Sequence, residues 1–371
     1  MKKKAIIGVL ILIITSVILY FIPKEEKELY AIIVDGNKTK SIPTHGNYNV
    51  TVNCTNATGS WNYTEWKINI TGITGKYTCN IEFTTSNKTN LNDYVISLND
   101  QTVGDGKVVN ENGYRYEGTN PNNYVLYNGE LWRIIGVFGN EMHGQTGDLV
   151  KIIRNDSIGG LAYNITTANI NSWGESTLYK LLNQTSGGSY YTGVDYTNKA
   201  SGTYCSSYGP YTPIDCSFSK VGIRSDYARG MIQEATWYSA EYTTRSNAPT
   251  TYTYDITTTT SNTGYIGLMY ASDYGYAVQA NDCARTISLG SYSGTTNGLT
   301  CAGKNWLRLG NLEWVLSRGN STGSWFVYYD GSMSASHLYD GKSVRPVLYL
   351  KSSVYYVSGS GSYDDPIVIG N

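Results

Sequence analysis

Residues Asn123-Tyr-Val-Leu-Tyr-Asn-Gly-Glu-Leu-Trp-Arg-Ile-Ile-Gly-Val-Phe138 place two apolar runs on either side of Asn128-Gly129. Asn-Gly in that setting is the strongest short-range hairpin signal, because a two-residue type I′ turn needs both central residues at positive φ. The stretch predicts strands over 123–127 and 131–138, and Leu149–Arg154 adds a third. Later, residues 265–270, 313–318, 324–329 and 343–350 alternate or run apolar at strand length, with Asp330-Gly331 as a second hairpin turn. Pro346 predicts an edge or a bulge in the last of these, since proline cannot donate to a ladder.

Helices fall between these strand groups. Ser172-Trp-Gly-Glu175 fits a capping box, with Leu178, Leu181 and Leu182 as the apolar face behind it. A second helix is predicted from Ser225 or Asp226, where Tyr227, Met231, Ala235 and Tyr238 recur at intervals of three and four. Residues 187–213 read as loose chain, and the Thr-rich stretch 243–263 as solvated loop or edge strand. Strands, then helices, then strands define an α+β head domain over 122–371. It is preceded by a linker, 87–121, with a short helix on Leu91, Val95 and Leu98 before Gly104, Gly106 and Gly113 interrupt it.

Residues 28–86 alternate as strands of a small all-β domain. Val50, Val52 and Cys54 share one face, Trp66, Ile68 and Ile70 another, and Tyr77, Cys79, Ile81 and Phe83 a third. Both cysteines therefore point inward, as a core disulfide requires, and closing that loop would contribute roughly 3 kcal/mol. Upstream, Lys2, Lys3 and Lys4 precede an uncharged run from Ala5 to Ile22. At the helical rise that run spans roughly 27 Å, close to the ~30 Å of a bilayer core. Residues 1–23 thus read as a cytoplasmic tip and single-pass transmembrane anchor, with everything after Pro23 outside the cell. The alternative, a cleaved signal peptide, wants small residues spaced like Ala-x-Ala, whereas this stretch ends Leu19-Tyr-Phe-Ile-Pro23.

Removing the three basic residues of the tip leaves 25 basic against 29 acidic residues, which gives no electrostatic footprint for nucleic acid. Six cysteines, Cys54, Cys79, Cys205, Cys216, Cys283 and Cys301, form three local pairs in sequence. An even count outside the cytoplasm invites disulfides, although spacing does not fix their connectivity. No Cys-x-x-Cys and no adjacent histidine supports a thiolate metal site. No phosphate-binding glycine loop is present, and no motif calls for a cofactor.

The run Cys54-Thr-Asn-Ala-Thr-Gly-Ser-Trp61, Trp66 and Gly75-Lys-Tyr-Thr-Cys79 resembles a module of membrane-anchored surface proteins of Gram-positive gut bacteria, a group without assigned function. The head carries the likeness further, in Gly267-Leu-Met-Tyr-Ala-Ser-Asp-Tyr-Gly-Tyr-Ala277, Asn305-Trp306, Glu313-Trp-Val-Leu-Ser-Arg318 and Val344-Arg-Pro346. Its last part is similar to domains of unknown function with the C-type-lectin-like fold, seen also in formylglycine-generating enzymes. The resemblance implies location and architecture. A Trp-Asn-Asp triplet of calcium-binding lectins and a copper-binding cysteine pair are both missing, so neither chemistry is carried over.

Candidate reactive residues are few. His337 has Ser334, Ser336 and Asp340 beside it in sequence, but triads assemble across folds and no motif surrounds it, so an exposed histidine is the expectation. Asp273, Asp282, Asp364 and Asp365 offer hard oxygens without the spaced acidic loop of a calcium site, and turn or cap duty is expected of them. Trp306, Trp314 and Trp325 sit in strand-like text as core residues. Arg318 and Arg345 are expected to pair structurally with Glu313 or Asp330. Exposed tyrosines suit stacking on a sugar or packing against a protein. The sequence thus favours a surface-anchored binding or adhesion module for a glycan or protein partner, with an enzyme acting on cell wall or modified proteins as the alternative.

Overall fold

The computed structural model describes residues 30–43, 48–62, 67–85, 88–139, 142–143, 145–165, 173–183, 197–198, 205–207, 212, 214, 216–217, 222–223, 225–242, 244–258, 260–293, 295–296, 299–320 and 323–371. Asn128 and Gly129 take φ of 54° and 74°, the double positive φ of a type I′ turn, and Tyr124–Tyr127 pairs antiparallel with Glu130–Phe138 across them. This hairpin sits inside a nine-stranded sheet. Its path runs Ile232–Gln233, Val347–Leu350, Leu149–Arg154, Glu130–Phe138, Tyr124–Tyr127, Ile367–Gly370 and Tyr355–Ser358. A second hairpin, Gly104–Asn110 with Tyr114–Pro121, joins it through the pairing of Arg115 with Gly136. A five-stranded sheet holds Gly160–Ala162, Gly341–Ser343, Glu313–Asn320, Gly323–Val327 and Met333–His337.

Two compact units result, one from described residues 30–43 with Asn49–Trp61 and Ile68–Thr84, the other chiefly Thr85–Asn371. The described chain is predominantly β with short helices, in keeping with an α+β class. In the first unit Asn37–Thr39, Tyr30–Val34, Thr78–Thr85 and Tyr48–Thr55 form one sheet in that order. Cys79, Ile81 and Phe83 alternate as buried residues along their strand, and Cys79 is bonded to Cys54 as the parity argument requires. Trp66 lies outside the described residues, as does the anchor run from Ala5 to Ile22. Among the described residues no helix is long and apolar enough to cross a membrane.

In the second unit the helix Leu91–Ser97 buries Leu91 and Val95 as its spacing predicts. The rest of the expected linker is the hairpin over Gly104–Asn110 and Tyr114–Pro121, integrated in the large sheet. Pro346 marks neither an edge nor a bulge. It lies between Gly341–Ser343 of the five-stranded sheet and Val347–Leu350, an interior strand of the nine-stranded one, where a residue without an N–H can change sheets at no cost to either ladder.

The helices depart more from expectation. Ser172 lies outside the described residues, and the helix Thr177–Asn183 starts behind Ser176, whose Oγ accepts from the Tyr179 N–H at 3.0 Å while Leu178, Leu181 and Leu182 are buried. Ser225 does cap Asp226–Met231, accepting from the Ala228 N–H at 3.0 Å. That helix stops at Met231, and Ala235–Tyr238 is a strand that buries Ala235 and Trp237 at a spacing of two. The Thr-rich stretch contains a ten-residue helix, Ala248–Thr257, capped by Asn247 with Pro249 in its first turn. Residues 265–270 are not a regular strand; Gly267 alone bridges to Val347, and the helix Ala271–Tyr276 follows.

Candidate functional site

Lys151 is the residue that sequence patterning makes anomalous: a charge in the middle of the apolar strand Leu149–Arg154, on the interior of a sheet covered on both faces. The structure resolves the anomaly with Asp273, the third residue of the helix Ala271–Tyr276, whose Oδ2 accepts from Lys151 Nζ. Oδ1 of the same carboxylate accepts from Arg115 Nη1 at 3.0 Å, and the Tyr270 N–H donates to Oδ2 at 2.9 Å. Two cations therefore share one carboxylate. Around them stand aromatic rings: Lys151 Nζ lies 4.2 Å from the Tyr270 ring centroid, and the Arg115 guanidinium 4.5 Å from Phe138 and 4.7 Å from Tyr276.

His143 stacks on Phe138 with centroids 4.6 Å apart, and its Nδ1 is 3.3 Å from the Tyr349 hydroxyl. Asp255, from the helix Ala248–Thr257, accepts from Ser317 Oγ at 2.9 Å and from the Ser272 N–H at 3.3 Å. Arg115, His143, Lys151, Asp255, Tyr270, Asp273 and Tyr349 are all buried, none more than 2% exposed.

Burial controls the charge states. Desolvation brings the Lys151 amine down to about 8, with Asp273 resisting and Arg115 assisting. Desolvation also pushes Asp255 up to about 7, against the hydrogen bonds from Ser272 and Ser317. For Asp273 burial acts upward, but the attraction of Lys151 first, with Arg115 adding to it, holds the carboxyl below its ordinary range. His143 is pushed below its ordinary value by burial and then by Lys151, so the ring is neutral near pH 7.

This constellation contains an amine, an imidazole, two carboxyls and phenols, the inventory of a catalytic site, and each of these side chains is buried. Other charges are likewise paired inside the unit. Arg345 holds Glu313 with bonds of 2.6 and 2.9 Å, as expected, whereas Arg318 pairs with Glu241 and not with Asp330. Asp330 caps its own turn through the Ser332 N–H at 2.9 Å. Trp306, Trp314 and Trp325 are core residues.

The residues singled out from sequence do not converge. His337 is exposed and stacks on Tyr339, while Ser336 bonds directly to Asp340 without the imidazole between them. Asp365 accepts from the Ser360 N–H at 2.8 Å in a local turn, and Asp273 is engaged as above. Among the described residues no group of three or more His, Cys, Asp or Glu side chains is placed to hold a metal ion. Cys283 is bonded to Cys301, and Cys205 is disulfide-bonded as well; the side chain of Cys216 lies outside the described residues.

The large apolar groups that do reach solvent are mostly tyrosines. Tyr329 and Tyr363 are 56% and 63% exposed, and Tyr254 is 37% exposed. Each is backed by another ring: Tyr329 by Tyr328 at 4.0 Å, Tyr363 edge-on to Tyr124 at 5.5 Å, and Tyr254 on Tyr242 at 5.3 Å, which stacks in turn on buried Trp325. Comparison with protein-family models, curated proteins and solved structures finds no match for the chain.

Proposed function

We propose that this chain is an exported, membrane-anchored surface protein whose second unit is a binding module for a glycan or protein partner. The observation that carries the reading is the division of labour among side chains. Acid–base groups are neutralised in buried pairs, while the large apolar groups exposed among the described residues are mostly tyrosines, each backed by another ring. A tyrosine with its ring pre-positioned loses little entropy on binding, and it offers a flat face to a sugar or an apolar side chain with a hydroxyl at the rim.

Disulfide bonding in both units supports export, since such bonds persist in oxidising surroundings. A single-pass anchor over Ala5 to Ile22 and a C-type-lectin-like arrangement of the head, with the tryptophans and Val344-Arg-Pro346 as its cues, belong to the same proposal. The test is binding of purified residues 30–371 to a glycan array and to immobilised surface-protein extracts, compared with Tyr329→Ala and Tyr363→Ala. Retention by at least one ligand class, reduced tenfold or more by a tyrosine substitution with an unchanged melting temperature, is expected. Silence on both surfaces would remove the proposal.

A further inference from the structure

We propose that Lys151 and Asp273 become joined by an amide bond between Nζ and Cγ, an internal cross-link the chain forms by itself. The inference is independent of what the surface binds. Its starting point is the contact of Lys151 Nζ with Asp273 Oδ2, which holds an amine nitrogen within reacting range of a carboxyl carbon on two rigid elements, a central strand and a helix.

Three features of the surroundings favour condensation over a permanent ion pair. First, water is excluded: both side chains are fully buried, and Tyr270, Phe138, Tyr349 and Trp237 enclose Nζ with centroids at 4.2, 5.5, 5.5 and 5.9 Å. Water stabilises the separated ions and, as a product of condensation, opposes it; this pocket removes both effects. Second, two cations face one carboxylate, so the cheapest relief of the imbalance is for the lysine to give up a proton and become the nucleophilic amine. The lowered basicity of Lys151 agrees with this.

Third, Arg115 is placed to assist. Its Nη1 lies 3.0 Å from Oδ1, where negative charge develops during attack. Arg115 also has support that outlasts the carboxylate: its Nε donates to the carbonyls of Glu111 and Asn112 at 3.1 Å each, and Phe138 and Tyr276 present their ring faces to it.

The step balances without any added reactant. Asp273 is ionised at rest, so the reactive form is the minor neutral pair, reached when the Lys151 ammonium passes one proton across the direct contact to Oδ2. The nitrogen lone pair then forms the N–C bond at Cγ while the carbonyl electron pair moves onto Oδ1 beside Arg115. The nitrogen then yields a second proton to Oδ2. The Cγ–Oδ2 bond breaks, Oδ2 departs with both protons as water, and Oδ1 becomes the amide carbonyl. Nothing is oxidised or reduced. The product ties the central strand to the helix Ala271–Tyr276 across a sequence separation of 122 residues.

The test is a peptide map of the reduced, alkylated full chain after trypsin. The expected result is no cleavage after Lys151 and a branched peptide in which the segment bearing Lys151 is joined to the segment bearing Asp273, its mass lower than their sum by one water. Lys151→Met should release the Asp273 peptide in linear form. If that variant does not fold, the wild-type map still decides. Separate linear peptides with cleavage after Lys151 would overturn the proposal, and so would a water loss located elsewhere, for instance at Asp330-Gly331.

Discussion

Replacing Asp255 with asparagine isolates the cost of a buried carboxyl group. Asp255 is fully buried, and its two oxygens accept from Ser317 Oγ and the Ser272 N–H. Asparagine can keep both contacts, with its oxygen toward the N–H and its amide toward the hydroxyl. In the folded chain the carboxyl titrates near 7 instead of 3.8, because burial penalises its charge. Between those values the folded protein holds a proton that the unfolded chain has released, so stability falls as pH rises through the window and levels off above about 7.

At ~1.4 kcal/mol per pH unit, the wild type should lose roughly 3 kcal/mol relative to Asp255→Asn between pH 5 and pH 8. Urea unfolding of both proteins at the two pH values, followed by tryptophan fluorescence, gives the difference directly, because every other titrating group is shared. Below about pH 4, where the carboxyl is protonated in both the folded and the unfolded chain, the two should be similar in stability. A gap that does not change with pH would refute the assignment of a protonated, desolvated Asp255.

Two further substitutions probe the frame around the cluster. Removing the bond between Cys283 and Cys301, 18 residues apart, by a double change to serine should cost about 3 kcal/mol on the chain-entropy account, read as a lowered urea midpoint under non-reducing conditions. Glu313→Gln takes the charge from a buried partner of Arg345 and should cost about 3 kcal/mol or more in thermal unfolding, whereas an exposed pair such as Arg229 with Asp226 should cost little when broken.

The fold was legible wherever local chemistry agrees with tertiary placement. Asn128-Gly129 announces its hairpin because the turn demands positive φ, and Leu149–Arg154 is apolar enough to declare a strand. The helix Ala248–Thr257 was not legible. Threonines dilute its apolar stripe, and what it buries, Ala248, Thr251, Tyr252 and Asp255, is chosen by its neighbours more than by its own pattern. The residues following Asp226 carried both periods, and the spacing of two at Ala235 and Trp237 won once Met231 ended the helix.

The candidate site was harder still, since Arg115, His143, Lys151, Asp255 and Asp273 come from five separate elements or loops, and only the fold brings them together. The one local cue was a lysine inside an apolar strand. Asp273 drew attention as an oxygen donor, and its actual role as the shared partner of two cations depends on residues more than 100 positions away.

The proposed function requires that the folded units stand outside the cell on a lipid-embedded segment. Protease added to intact cells that make the full chain measures this most directly. The expected result is loss of the units to protease while a cytoplasmic control protein survives, with the undigested chain recovered in the membrane fraction. Full protection of the chain in intact cells, or its recovery from the cytosol, would contradict it.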